Sequence, residues 1–438
     1  MRATRLSLAA AAVSGALLLA GCSGLGIGQD DTRSTSSETR ATAPLSDASE
    51  GASEDPAGPD TPSSWGPTLG EIEEAQDLVA GWTPEQLAGQ VIVGRFHGTD
   101  PAEPAALVRD LHLAGVSVTT DNVYDETQVL AMTDAIARAA ATDGRTFPPV
   151  IGIDQEGGYV SHLGEVATEF PHFQSAGLAI EADLKVGRKV TRLAAMATGL
   201  ELRSLGFTWV FAPVADVTIG AADPTIGARA ASEDPEVAAI ATAYAVKGYD
   251  KAGIVSTIKH FPGHGTATAD SHDALPMVDS TLDEIRAHDL PPFELAIAKH
   301  APAVMMSHLD LTSIAPGVPA SMAPEVYDLL RDELGFEGVT ITDSLGMGAV
   351  GGRPKPAVQA LNAGADLLLM PVDTRTTHAI IVDAIESGEV TRERAEEAAA
   401  RVVALQMWQA RIAAQRPVPL DVVERAQAAS AGLLDAAY

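Results

Sequence analysis

The chain has one cysteine, Cys22, in 438 residues. No internal disulfide can form, so the fold does not rely on cross-links. Long apolar runs are missing too. The stretch from Leu6 to Ala20 is too short and too rich in alanine for a membrane-spanning helix. Positive charge is scarce: 29 Lys and Arg stand against 59 Asp and Glu, a net charge of −30. That balance argues against nucleic acid as a partner and against attraction to anionic lipid by overall charge. No glycine-rich phosphate fingerprint follows the first strand-like run, which counts against an open dinucleotide-binding sheet. Between Ser23 and Trp65 there are no aromatic residues and almost no branched apolar ones. A segment of this kind buries too little surface to offset its own ordering, so 22–68 is expected to be a disordered linker. Trp65 is read as a lone aromatic where that linker ends.

What is present begins with Arg2 and Arg5, the short apolar run, and then Leu19-Ala20-Gly21-Cys22. A basic start, an apolar stretch and small residues at the cut make an export signal over 1–21. Its end resembles the bacterial lipobox, in which the cysteine after the cut carries lipid. The expectation is an exported chain, lipid-anchored to the membrane at Cys22 and facing the cell wall, with one domain over 69–438.

Eight apolar, β-branched runs follow in order: Gln90–Phe96, Gly115–Thr119, Pro149–Asp154, Thr208–Pro213, Ile254–His260, Ala303–His308, Gly338–Asp343 and Ala365–Met370. Near-continuous apolar character is that of parallel strands covered on both faces. Alanine-rich helical segments separate them, among them Leu184–Leu205, Pro235–Ala252, Ala323–Leu334 and Ala357–Ala363. A closing amphipathic helix is predicted over Glu393–Ala414, capped by Thr391 and stopped by Pro417. Alternation of this kind predicts an α/β fold, a (β/α)₈ TIM barrel forming a single catalytic domain.

Polar residues gather where the runs end. The third ends in Asp154, the fifth in Lys259-His260, the sixth in Ser307-His308 and the seventh in Thr342-Asp343-Ser344. In a barrel these ends converge on the face where chemistry sits. The densest stretch is KHFPGHGTATADSHD, Lys259 to Asp273, which its proline and glycines make a loop. A carboxylate at Asp343 can attack a carbon centre or steady a developing cation. Asp270, two residues before His272, can hold that imidazole in one tautomer for proton transfer. Asp154, Lys259 and His260 supply donors and acceptors for sugar hydroxyls, and His308 is a secondary candidate there. His264 is read as a loop-shaping residue.

With these residues in place, the chain resembles glycoside hydrolase family 3, in its single-domain β-N-acetylglucosaminidase branch. IDQEGG at Ile153–Gly158, ELRSLGFTWVFAPVADV at Glu201–Val217, KHFPGHG at Lys259–Gly265, DSH at Asp270–His272 and TDSLGMGAV at Thr342–Val350 carry the likeness. The resemblance implies retaining hydrolysis, with Asp343 as nucleophile and His272 as acid and then base, oriented by Asp270. It implies that Asp154, Arg229, Lys259 and His260 bind the N-acetylglucosamine, and that no metal or organic cofactor takes part. The partner implied is a small oligosaccharide or muropeptide from the cell wall, acted on by a monomer. Three places depart from the pattern, one of them the end of the second run at Asp121-Asn122, which follows it only loosely. Tyr159 and His162 stand where the branch usually has arginines, and Ala228, Ala230 and Ala231 flank Arg229 where it has polar and aromatic residues.

Three other readings fit parts of the pattern. A zinc hydrolase would use His260, His264, His272 and His308 with Asp270 and Asp343, but Lys259 inside the cluster repels a cation and no helix-borne H-E-x-x-H exists. A wall-glycan binding lipoprotein without turnover would explain the departures. A phosphorylase of the same family would use phosphate in place of water.

Overall fold

A computed structural model describes residues 58–142, 144–223, 225–267, 271 and 274–438. Cys22, Asp270 and His272 lie outside the described residues, as do the expected export signal and most of the expected linker.

All eight expected strands are present: β1 (Ile92–Gly94), β2 (Gly115–Val118), β3 (Val150–Ile153), β4 (Trp209–Val210), β5 (Val255–Phe261), β6 (Ala303–Met306), β7 (Val339–Thr342) and β8 (Leu368–Leu369). Neighbours pair in parallel around the sheet, and β1 pairs β8. An Ile341–Leu367 bridge joins β7 to β8 and completes the ring. The architecture is the (β/α)₈ barrel that the alternation predicts. Its strands are apolar throughout because one face fills the barrel and the other meets the surrounding helices.

Three elements depart from the sequence reading. Order begins by Gly58 and not at Leu69. Pro62 bridges Thr68, the Leu69 amide donates to the Thr61 carbonyl at 2.9 Å, and Trp65 is 4 % exposed within the main core. Trp65 is therefore an anchor, and one large aromatic ring is enough to order the turn around it. The segment expected as a helix over Ala323–Leu334 is helical over Pro324–Asp328 and then widens into a π turn over Leu329–Glu333. A further helix, Val422–Ala437, follows Pro417 and buries Ala426 and Leu433 against the Gln174–Ala182 and Leu184–Ser204 helices.

The closing helix runs from Arg392 to Gln415, with the Thr391 side chain accepting from the Arg394 amide at 3.1 Å. It crosses the N-terminal end of the barrel. Gln406 donates to the Ala114 carbonyl at the entry to β2, and Gln409 donates to the Gly253 carbonyl at the entry to β5. Gly253 ends the Pro235–Ala252 helix in the left-handed region (φ 76°), which suits a residue without a Cβ. With that end covered, the open face is the one at the strands' C-terminal ends.

Candidate active site

A register irregularity in β5 makes the site. Lys259 pairs Met305 and Phe261 pairs Met306, so His260 is an extra residue against β6. Adjacent residues in a regular strand point to opposite faces, and a bulge relaxes that rule. Lys259 and His260 consequently both line one cavity of about 240 Å³ at the barrel mouth. Asp154 and Glu156 from the end of β3, Arg229, His264, Ser271 and Asp343 line it too, with Val160, Met305, Met347 and Leu369 as apolar wall.

The buried charges form one network. Lys259 Nζ meets Asp154 Oδ1 at 2.5 Å and Glu156 Oε1 at 2.6 Å. Arg229 donates to both Glu156 oxygens at 2.9 Å, the paired geometry a guanidinium allows. Burial by itself would raise the Glu156 pKa, but Lys259 and Arg229 hold the carboxyl far below its usual range. Two cations thus balance two carboxylates. Such a set is expensive to bury, and its concentration at a strand-end cavity marks a functional site. Glu156 was not singled out from the sequence. It lies two residues after Asp154, and that strand-like spacing was the available signal.

Asp216 is a second residue that sequence reasoning passed over, a lone acid in the apolar run Val210–Val217 and fully buried. Its Oδ1 accepts from the amides of His260 at 3.0 Å and His264 at 2.7 Å, and its Oδ2 accepts from His260 Nδ1 at 2.7 Å. One carboxylate therefore fixes the loop after β5 and the His260 tautomer, leaving Nε2 as the ring nitrogen for a ligand. Against the raising effect of burial, His260 keeps Asp216 ionised below the usual range. We expect Asp216→Asn to lower kcat/KM by about 10²-fold through misplacement of His260. Asp216→Asn and His260→Ala should then be strongly non-additive in a double-mutant cycle, and simple additivity would contradict the coupling.

His264 donates to, or accepts from, Ser271 Oγ through Nε2 at 3.0 Å, the local bond expected of a loop-shaping residue. Burial, and then His260, lower its pKa, so it is neutral. Ser271 is itself buried, and its carbonyl accepts from the Ala349 amide at 3.1 Å. His308 is not brought to the mouth: its Nε2 donates to the Ser344 carbonyl at 3.1 Å and its Nδ1 accepts from Ser321 Oγ at 2.7 Å. With both nitrogens committed it supports the turn after Asp343 and has no group left for a sugar.

Asp343 follows β7. Its amide donates to the Met306 carbonyl at 2.9 Å, and its Oδ1 accepts from the Ser344 amide at 2.7 Å. Burial would raise its pKa, yet His260, His308, the Ser344 amide and Lys259 together lower it. The carboxylate is ionised at neutral pH and faces the cavity, the state a nucleophile needs. Of the two departures near β3, Tyr159 is 84 % exposed with its ring 4.0 Å from that of His172, while His162 lines the cavity and bonds Thr120 Oγ1 at 2.8 Å.

A polar cavity walled by paired carboxylates and cations at the C-terminal rim of a (β/α)₈ barrel has the layout of an enzyme active site. The profile described as "Glycosyl hydrolase family 3 N terminal domain" matches residues 83–405. The chain belongs to glycosyl hydrolase family 3. Similar proteins include beta-hexosaminidase A of Pseudoalteromonas piscicida, 34% identical over 70% of this chain, which spans 55% of that relative's length. The beta-hexosaminidase of Stenotrophomonas maltophilia is 39% identical over 59% of this chain and 76% of its own. Among solved structures, a family 3 beta-N-acetylglucosaminidase from Paenibacillus superposes with a TM-score of 0.73 at 32% identity, covering 80% of this chain and 69% of that one.

Proposed function

We propose that the chain removes β-linked N-acetylglucosamine from cell-wall fragments with retention at the anomeric carbon. The observation that carries this is the ionised Asp343 facing a small cavity whose other polar walls are Asp154, Lys259, Glu156 and Arg229. The beta-hexosaminidase relatives support the sugar. In the first step His272 gives its proton to the glycosidic oxygen while an Asp343 oxygen bonds to the anomeric carbon, and the leaving alcohol departs. In the second, His272 takes a proton from water, the water oxygen attacks the same carbon, and the ester breaks to restore the Asp343 carboxylate. Ser271, next to His272 in sequence, lines the cavity, which supports that assignment. Asp154 and Lys259 bind sugar hydroxyls as a pre-formed pair, and Arg229 acts on the sugar largely by fixing Glu156.

The reading is tested by release of 4-nitrophenol from its β-N-acetylglucosaminide, with products compared with and without phosphate. Hydrolysis that ignores phosphate is expected, and a glycosyl phosphate product would establish the phosphorylase reading instead. His272→Ala should lose far more activity on a disaccharide than on the aryl glycoside, because 4-nitrophenolate departs without a proton. Equal losses on the two would remove His272 from the acid role. Within the same reading the chain is tethered to the membrane through lipid on Cys22, a modification that mass measurement of the mature chain would reveal.

A further inference from the structure

The net charge conceals a segregation. Over the Leu184–Ser204 helix stand Lys185, Arg188, Lys189, Arg192 and Arg203 against the single acid Glu201, in a chain where acids outnumber bases. The neighbouring Pro235–Ala252 helix adds Lys247 and Lys251. Arg188 and Lys247 share the Tyr244 ring, at 5.4 and 4.9 Å from its centre, so the two helices present their cations side by side.

Where these helices meet the closing helix there is a groove of about 590 Å³, lined among others by Arg192, Lys247, Lys251 and Lys299. The groove's acid, Asp250, is paired with Arg416 at 3.3 Å, and Arg411 is paired with Glu71 at 2.7 Å. Among the described residues no carboxylate pairs with Arg192, Lys247, Lys251 or Lys299. Arg192, Lys251 and Lys299 are exposed and Lys247 is half-buried over the Tyr244 ring, four cations together on an acidic protein.

The position of the face gives it meaning. Lys251 lies just before β5 and Lys299 just before β6, at the N-terminal ends of the strands, so the groove is on the side of the barrel opposite Asp343. Pro62, Ser63 and Gly66, near the first described residue, form part of its wall. Screening limits charges to about 8 Å at physiological salt, so an approaching surface responds to the charges at the groove, where the acids Asp250 and Glu71 are already paired with Arg416 and Arg411.

We propose that this basic face docks on the phosphate headgroups of an anionic phospholipid bilayer, with the catalytic mouth pointing away from the membrane. A tether alone would leave the barrel free to rotate and would bring its mouth to the bilayer part of the time. Contact through the opposite end holds the mouth open towards the wall. The expectation that acidity excludes anionic lipid holds for charge spread evenly, which is not the distribution here. The membrane as occupant rests on the tethered reading above, whereas the catalytic reading is separate and is followed by its own assay.

The test uses the chain from Ser23 onward, which keeps linker and barrel and lacks both the apolar leader and Cys22. Flotation is measured with vesicles of phosphatidylcholine alone and with about one third phosphatidylglycerol. We expect at least about tenfold more binding to the anionic vesicles, lost as salt rises from about 0.05 M to about 0.5 M. The Arg192→Glu, Lys251→Glu, Lys299→Glu triple variant should lose this binding and hydrolyse the aryl glycoside as the parent does. Equal binding to both vesicle types, or a triple variant that binds like the parent, overturns the proposal. Binding of soluble long-chain polyphosphate without vesicle binding overturns the membrane as partner in favour of a soluble polyanion.

Discussion

Replacing Asp343 by alanine is expected to lower kcat by about 10⁴–10⁶-fold, the loss typical when the nucleophile of a catalytic unit is removed. The size follows from the position. The carboxylate is held at the cavity by the Ser344 amide and kept ionised by His260, His308 and Lys259, while the cavity's other carboxylates, Asp154 and Glu156, are tied to Lys259 and Arg229. Added azide fits the space left by the side chain and should restore turnover of the aryl glycoside, giving a glycosyl azide of inverted configuration. That product distinguishes a lost nucleophile from a damaged fold. Turnover within about a tenth of the parent would remove Asp343 from the role. In the parent, the depressed pKa keeps Asp343 ionised as pH falls to the ordinary aspartate range, about 3.9.

The largest effect on stability is expected at Asp366, far from the chemistry. Its side chain is fully buried. Oδ2 accepts from the Thr340 amide at 3.0 Å and from Arg331 at 2.9 Å, while Oδ1 accepts from Arg394 at 2.9 Å and Arg401 at 3.1 Å. One carboxylate therefore ties the closing helix and the π turn to β7 and to the entry of β8. Asp366→Asn keeps the shape, leaves Arg331 without a counter-ion and leaves Arg394 and Arg401 to share Glu397, at a cost of about 3–5 kcal/mol. A urea midpoint equal to the parent's would refute this. The pH dependence has a definite sign. Burial would raise the Asp366 pKa, but Arg401, Arg331 and Arg394 lower it below its unfolded value. Its contribution is complete above about pH 4 and is withdrawn as pH falls towards the folded pKa. The parent should lose stability over that acid range, and Asp366→Asn should show a flatter profile there.

The motifs and the β/α alternation were local, and local signals are what a sequence displays. A strand covered on both faces must be apolar along its length, so eight runs in order identified the barrel, and their polar ends identified its mouth. KHFPGHG and DSH lie close together along the chain, so their spacing could be read directly. The terminal helix Val422–Ala437 was less visible because its buried face is built on Ala426, Ser430 and Leu433, weakly apolar residues that pack only where other helices come close. Trp65 was misread for a related reason: composition describes a segment's average, and one ring can anchor it.

The sequence by itself determined the strand count, the closing helix, the nucleophile candidate and the family likeness. Tertiary structure alone decided how the charges pair and where they gather. Glu156 and Arg229 are 73 residues apart, and Asp154 and Lys259 are 105 apart. Closing the barrel brings β3 and β5 to one rim, and the extra residue in β5 turns Lys259 and His260 to the same side. The same closure leaves His308 committed to the turn after Asp343 and collects unpaired cations at the opposite end. Partners across a barrel are set by strand order and register, which no spacing along the chain encodes.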